Sequence, residues 1–180
     1  YIGSLPAKKR KITKRVDDGV RYAKGEVIND FKAPMQQPKV SVCRIYTGDI
    51  EYNLENAVTM NFLQDILRAR YTISIREEKG GTYGVGVRGS LDAEPIEEYS
   101  LVIQFDTNEQ MADELSAIVV AEIEKIAAEG PLAEDMAKTR EFLVKDYTKQ
   151  IKNNSYWANA INEYYKHNVD IVNGYEAAVE

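Results

Sequence analysis

The chain holds one histidine, His167, and one cysteine, Cys43, among its 180 residues. A catalytic zinc site takes three protein ligands, and a nucleophilic dyad takes a base beside its nucleophile. Local residues can barely build either. The single cysteine also rules out an internal disulfide and leaves the redox compartment open. No apolar run approaches the roughly 20 residues that span a bilayer. What remains is ordinary for a globular chain: 44% hydrophobic and 29% charged residues. A chain of this length fits one domain and buries roughly 70% of its unfolded surface.

The chain opens at Tyr1 without a methionine, and Tyr1-Ile-Gly-Ser-Leu-Pro6 reads as the tail of a helix. The expectation is a piece of a longer protein, with any signal peptide upstream. The formal charge of −6 is unevenly spread, because Lys8, Lys9, Arg10, Lys11, Lys14 and Arg15 form a basic run with no acidic member. Such a run can bind nucleic acid or act as a nuclear address. Here no aromatic residue is interleaved, and the acidic remainder repels phosphates. The expectation is a linker, with no nucleic-acid partner.

Residues 7–37 hold short extended pieces and the prolines Pro34 and near it Pro38, which suits a linker and an edge hairpin. Lys39 to Tyr46 alternates, with Val40, Val42 and Ile45 as apolar members, and reads as a strand. Cys43 within it reads as a small packing residue. Asn53 is a fitting N-cap for a helix carrying Leu54, Ala57, Val58, Phe62, Ile66 and Leu67, expected to end near Arg70. Residues 71–78 admit either a strand, from the alternation of Thr72-Ile-Ser-Ile75, or a further helical turn. Tyr83 to Arg88 and Tyr99 to Phe105 read as strands.

Thr107-Asn-Glu-Gln110 resembles a capping box for a helix whose apolar face is Met111, Leu115, Ile118, Val119, Ile123 and Ile126. Its acidic residues, among them Glu114 and Glu122, read as a solvated face. Gly130-Pro131 stops it. A second helix carries Leu132, Met136, Leu143, Tyr147 and Ile151 on one side. Asn153-Asn-Ser155 breaks that helix, and a third begins near Tyr156 and presents Trp157, Ile161 and Tyr164 or Tyr165. Strands around one helix, then a run of helices, define an α+β class: a two-layer sandwich, an antiparallel sheet with helices packed on one face.

Two signals look like chemistry and lack its context. Gly84-Val-Gly86-Val-Arg-Gly89 matches G-x-G-x-x-G, yet Ser90-Leu-Asp-Ala-Glu-Pro95 follows where a phosphate-binding helix would open. These glycines read as strand residues that allow close approach of another backbone. Glu163 and His167 stand four apart and offer two ligands at most, one short of a catalytic zinc site. His167 reads as a polar helix-end residue, and no metal site is expected in this chain.

The segment Arg76-Glu-Glu-Lys-Gly-Gly-Thr-Tyr83 is more informative. Arginine and tyrosine both stay protonated at neutral pH, so they suit holding carbonyl oxygens rather than moving protons. Gly80-Gly81 makes a turn between them the expected geometry, with both side chains reaching one cleft. The ordinary reading is Arg76 paired with Glu77 or Glu78 on the surface and Tyr83 half-buried in a sheet. On the bare sequence the ordinary reading carries more weight.

These residues also resemble the pitrilysin/insulinase family of zinc metallopeptidases, the inverzincins. The zinc-free C-terminal half of that family carries an Arg and a Tyr seven residues apart after a Leu-rich helix. Here the match is Leu63-Gln-Asp-Ile-Leu67 leading to Ile75-Arg76-Glu-Glu-Lys-Gly-Gly-Thr-Tyr83-Gly-Val85. The resemblance looks closest to bacterial members, spans most of the chain, and makes residues 1–180 a single C-terminal domain of the parent. It implies that two halves, in one polypeptide or two subunits, close around a chamber. The other half supplies zinc through H-x-x-E-H and a distal glutamate. No such motif occurs here, so the chain alone is expected to be inert. Carried over by position, Tyr83 donates toward the scissile carbonyl and its oxyanion, and Arg76 binds a neighbouring carbonyl of the peptide substrate. A parent that has lost its zinc motif and works as a scaffold or partner subunit is the alternative. The resemblance also favours helix for residues 71–76 and implies a periplasmic or cell-envelope location. It further implies sheet strands outside these 180 residues, so an exposed edge prone to pairing between copies is expected.

Overall fold

The computed structural model describes residues 16–77 and 79–180. The basic run at 8–15 and the opening residues 1–6 lie outside the described residues. Three strands form one antiparallel sheet: β1 (Val40–Asp49), β2 (Val85–Asp92) and β3 (Glu98–Thr107), in the order β1-β3-β2. Register puts Val42, Phe105 and Val85 in one row and Arg44, Ile103 and Val87 in the next. These rows are rich in β-branched and aromatic residues and face the helices. The helices that follow β1 and β3 pack on that face, and the later helices pack mainly against the first of them and against one another, so the α+β class with one helix-covered sheet face is the architecture found.

Helix α1 (Leu54–Tyr71) starts where Asn53 accepts the Asn56 N–H at 2.8 Å, and its last turn carries Arg68 and Arg70 at the negative end of the helix dipole. It continues as a π-helical stretch, Thr72–Glu77, so the ambiguous segment is helical rather than extended. Thr72 and Ser74 return their hydroxyls to the carbonyls of Arg68 and Arg70 (2.8 and 3.0 Å), which competes with regular α bonding there. The payoff is burial: Tyr71 and Ile75 are both fully inside.

The remaining helices are α2 (Ala112–Glu129), α3 (Ala133–Gln150), α4 (Asn154–His167) and α5 (Ile171–Val179). The expected capping box does not form. Thr107 belongs to β3, and the Asn108 side chain accepts the Met111 N–H at 3.0 Å instead. Gly130 takes φ +77° and ends α2 as expected. Helix α5 has no counterpart in the sequence reading; Asp170 caps it through the Asn173 N–H at 3.0 Å.

Helix α1 buries two faces. Leu67 and Tyr71 join Ile103, Leu115 and Val119 between the sheet and α2. Val58, Phe62 and Ile66 meet Leu143 of α3 and Val179 of α5. Each such side chain contributes about 1.5–3 kcal/mol on burial, so the two clusters together hold α1 against sheet and helices alike. Glu122 is not merely solvated: with Asp135 it grips Arg70 at 2.9 Å each. On α4 the buried residue is Ala160, while Trp157, Ile161, Tyr164 and Tyr165 remain exposed. Among the described residues 16–39 there is no strand, and the earlier part of the expected linker and edge-hairpin region, 7–15, lies outside the described residues. Val27, Ile28 and Phe31 stand exposed within 16–39.

The Tyr71 hydroxyl donates to the Val119 carbonyl at 2.9 Å, and burial raises its pKa. Tyr52 is pushed up to about 12, by burial first and by its bond to the Glu163 carboxylate second. A raised folded pKa gives stability that is complete below the unfolded value of about 10 and lost as pH climbs through the folded one. The denaturant midpoint should therefore begin to fall above about pH 10, and Tyr71→Phe should flatten part of that fall. A slope unchanged by Tyr71→Phe would assign the fall to other groups.

Candidate functional site

The site is built around the turn that follows the π-helical stretch. The Gly80 N–H donates to the Arg76 carbonyl at 3.1 Å and closes that stretch, with Gly80 at φ +63°. Lys79 pairs with Glu114 of α2 at 2.6 Å. The Thr107 hydroxyl donates to the Gly81 carbonyl at 2.7 Å. A Cβ at Gly81 would lie 2.7 Å from Met111 Cε and 2.8 Å from Leu115 Cδ1. The two glycines therefore answer different demands. Gly80 supplies a left-handed conformation, and Gly81 lets the turn press on the first turn of α2.

Alanine at either position tests this. Gly80→Ala should cost about 1–2 kcal/mol through backbone strain. Gly81→Ala should cost about 1–3 kcal/mol through overpacking against the fully buried Leu115. Urea unfolding of the two variants measures both costs, and a loss near zero at Gly81 would mean that Met111 and Leu115 yield freely.

Beyond this anchored turn, Tyr83 is fully exposed rather than half-buried. Thr82 and Gly84 bond to each other (3.1 and 3.3 Å), and β2 starts only at Val85, so Tyr83 stands clear of the ladder. It lines two adjoining grooves. One, of about 480 Å³, crosses the helix-free face of the sheet past Ser41 and Cys43 of β1, Gln104 of β3 and Gly86 of β2. The other, of about 510 Å³, runs past Lys39, Gly80, Asp106 and Asn108. Between them Asp106 is held by Lys39 and Ser41, both at 2.6 Å, and these bonds keep its carboxyl below the usual range.

The two residues singled out by sequence part company here. Tyr83 lines both grooves, and Arg76 lines neither. Arg76 is exposed near the end of the π-helical stretch. Its side chain makes no hydrogen bond or ion pair among the described residues, and neither does the Tyr83 hydroxyl. The expected surface pair with Glu77 does not form, and the alternative partner, Glu78, lies outside the described residues. What the arrangement offers is a phenol donor, unengaged within the described residues, held over a groove by a turn tied to α2 and β3. A guanidinium stands on the other side of that turn.

Cys43 is exposed on the groove floor rather than packed inside. Ser41, Gln104 and Asp106 were not foreseen as groove residues. Their signal was strand alternation, which puts them on the face opposite Val42, Ile103 and Phe105, but only once the pairing of β1 with β3 is known. Of the G-x-G-x-x-G glycines, Gly86 and Gly89 lie in β2 as expected, and Gly84 stands just before it. Gly89 abuts Met60 of α1, and its N–H donates to the Gln64 side chain at 3.0 Å. His167 ends α4 and rests on the Tyr52 ring at 5.0 Å, while Glu163 accepts from the Tyr52 hydroxyl at 2.7 Å. Those two residues serve α4 packing.

Among the described residues no group of three or more His, Cys, Asp or Glu is placed to hold a metal ion, so these residues do not fit a zinc site. No helix among them is long and apolar enough to cross a membrane.

The fold is thus an antiparallel sheet with helices on one face and an exposed Gly-Gly turn leading into β2. A family model for the peptidase M16 inactive domain matches residues 1–143, and the chain belongs to that family, the C-terminal inactive domain of pitrilysin-type peptidases. A search of curated proteins finds no match. Among solved structures, the periplasmic protease PqqL from Escherichia coli is similar at 19% identity and a TM-score of 0.69, over 81% of this chain and 16% of that one. The ferredoxin protease FusC, solved in complex with Arabidopsis ferredoxin, is similar at 12% identity and a TM-score of 0.66, over 79% and 16%. A protease from Helicobacter pylori is similar at 15% identity and a TM-score of 0.63, over 78% and 34%. The chain thus spans between about a sixth and a third of the length of these structures. At such identities the likeness is one of fold.

Proposed function

We propose that this domain holds peptide or unfolded polypeptide in a bacterial zinc metalloendopeptidase and stabilises the transition state of its hydrolysis. The metal belongs to an N-terminal half or partner subunit outside this chain, and the location is the periplasm, as for PqqL. The observation that carries the reading is Tyr83, an exposed phenol without a hydrogen-bond partner among the described residues, beside an open groove on a fixed turn. A donor aimed at the developing oxyanion acts more on the transition state than on the ground state. The test is Tyr83→Phe in the enzyme that contains this domain; unchanged turnover overturns the reading.

Arg76 is assigned to binding rather than chemistry. A guanidinium that donates to a peptide carbonyl contributes about 1.5–3 kcal/mol to ground state and transition state alike. Arg76→Ala should therefore raise KM roughly 10- to 100-fold with kcat nearly kept. A fall in kcat at constant KM would overturn that assignment. Arg76 lines neither groove, and this favours a second reading, in which the parent is a scaffold or partner subunit without its own zinc motif. The presence or absence of H-x-x-E-H in the N-terminal half of the parent separates the two.

A further inference from the structure

Seven arginines fall among the described residues, and five of them have a partner for the guanidinium. Arg21 pairs with Asp17, and Arg44 donates to the Ser116 hydroxyl. Arg68 takes Asp65 and the Val87 carbonyl, Arg70 takes Glu122 and Asp135, and Arg140 takes the carbonyls of Val179 and Glu180. Arg76 and Arg88 have no partner among the described residues. The chain carries 29 acidic residues, so an arginine is not left free for want of carboxylates. Arg76 stands on the other side of the turn from the grooves. Arg88 stands on the same sheet face as the larger part of the groove floor.

Strand alternation on β2 buries Val87 against the helices and leaves Gly86 and Arg88 on the helix-free face. Gly86 belongs to the floor of the groove that Tyr83 lines. Register sets Arg88 beside Val102 and Ile45, one row past the floor residues Gly86 and Gln104. A row is two residues, about 7 Å along the strand. On the far side the next row holds Ser90 and Ser100, whose hydroxyls bond to each other at 2.9 Å. Neither the row of Arg88 nor the two beside it contains a carboxylate. Asp106, at the groove end, is already taken by Lys39 and Ser41. The guanidinium is therefore exposed over neutral side chains, next to the groove and without an acceptor of its own.

We propose that Arg88 binds a carboxylate of the peptide substrate, from an acidic side chain or from the C-terminus, where the peptide leaves the groove. This rests on the reading that the groove beside Tyr83 holds substrate. A guanidinium stays charged and presents a planar fork that matches the two oxygens of a carboxylate. Val102 and the half-exposed Ile45 flank it, and apolar neighbours strengthen an ion pair by keeping water from one side. Arg88 is thus a specificity-determining residue and takes no part in the bond cleavage. The separation from Gly86 places the bound carboxylate about two to four extended residues from the one that lies over the groove floor.

Peptide pairs that differ only in Glu against Gln, scanned along the positions beside the cleaved bond, test this in the enzyme that contains the domain. Each peptide is made as free acid and as C-terminal amide. Either Glu at one position or the free acid should lower KM roughly 10- to 100-fold against its neutral counterpart, and the arm that responds names the source. Arg88→Met should abolish that preference and leave kcat/KM for the neutral peptide unchanged. Arg88→Lys should keep part of it, since an ammonium retains the charge and loses the fork. Arg88→Glu should turn the preference towards Lys at the same position. The urea-unfolding midpoint of Arg88→Met should match that of wild type. A preference that is missing in wild type, or that survives Arg88→Met, overturns the proposal. So does a lowered midpoint, which would assign Arg88 to a carboxylate of the parent itself. Tyr83→Phe keeps the two readings apart. Lost turnover there with a preference indifferent to Arg88 removes this assignment alone, and kept turnover with a preference that needs Arg88 removes the oxyanion role alone.

Discussion

Replacing Tyr83 by phenylalanine in the parent enzyme is expected to lower turnover about 100- to 1,000-fold with little change in KM. The substitution removes one oxygen and keeps the ring. In the folded domain that oxygen has no hydrogen-bond partner among the described residues and the side chain is fully exposed, so stability should shift by no more than about 0.5 kcal/mol. An unfolding curve that matches wild type is thus the control, and it separates lost chemistry from lost fold. The expected loss corresponds to about 3–4 kcal/mol of transition-state stabilisation, the size typical of a single oxyanion donor. A KM that rises in parallel while kcat holds would mean that Tyr83 merely binds, and the assignment to the oxyanion would fail.

The magnitude depends on how firmly the phenol is held. Loops that carry functional groups gain precision from the rigid elements beneath them. Here the turn is tied on three sides, by the Lys79–Glu114 pair, by the Thr107–Gly81 bond and by the contact of Gly81 with Met111 and Leu115. Tyr83 itself stands two residues later and is fully exposed.

How far the residues foretold this differs by element. Helix α1 was legible because a local cap and a sustained apolar repeat agree over eighteen residues. Helix α5 was not, being nine residues long with a glycine inside it, where a repeat of period 3.6 has little room to show. Thr107 was misread as a cap because a strand end and a helix start look alike when Thr and Asn lead into an apolar run. Its hydroxyl serves the Gly81 turn, a partner 26 residues away. The Gly-Gly turn could be read locally, since left-handed glycine is a property of a short segment. The expectation that Arg76 and Tyr83 reach one cleft was not met, because Arg76 lines neither groove. The groove itself could not be read locally. Its floor joins Cys43, Gly86 and Gln104 from three strands, and only the order β1-β3-β2 brings them side by side.

Arg70 marks the other large effect. Its guanidinium bridges Glu122 of α2 and Asp135 of α3, each at 2.9 Å, and only 13% of the side chain reaches solvent. Arg70→Ala would leave two carboxylates, 22% and 23% exposed, facing each other across a gap with no cation between them. Removing one member of a buried ionic group costs about 3–5 kcal/mol, and the partial exposure here brings the expected loss to about 2–4 kcal/mol. Replacing all three by apolar residues should restore most of it, because the neighbours then carry no unpaired charge. Urea unfolding of Arg70→Ala, of the triple variant Arg70→Met with Glu122→Leu and Asp135→Leu, and of wild type tests both statements. Should Arg70→Ala lose less than about 1 kcal/mol, water rather than the guanidinium would be screening the pair. The consequence for the site follows from α2. The helix that Arg70 ties to α1 also buttresses Gly81, so the same variant should speed hydrogen exchange at the Gly80 amide even where the domain remains folded.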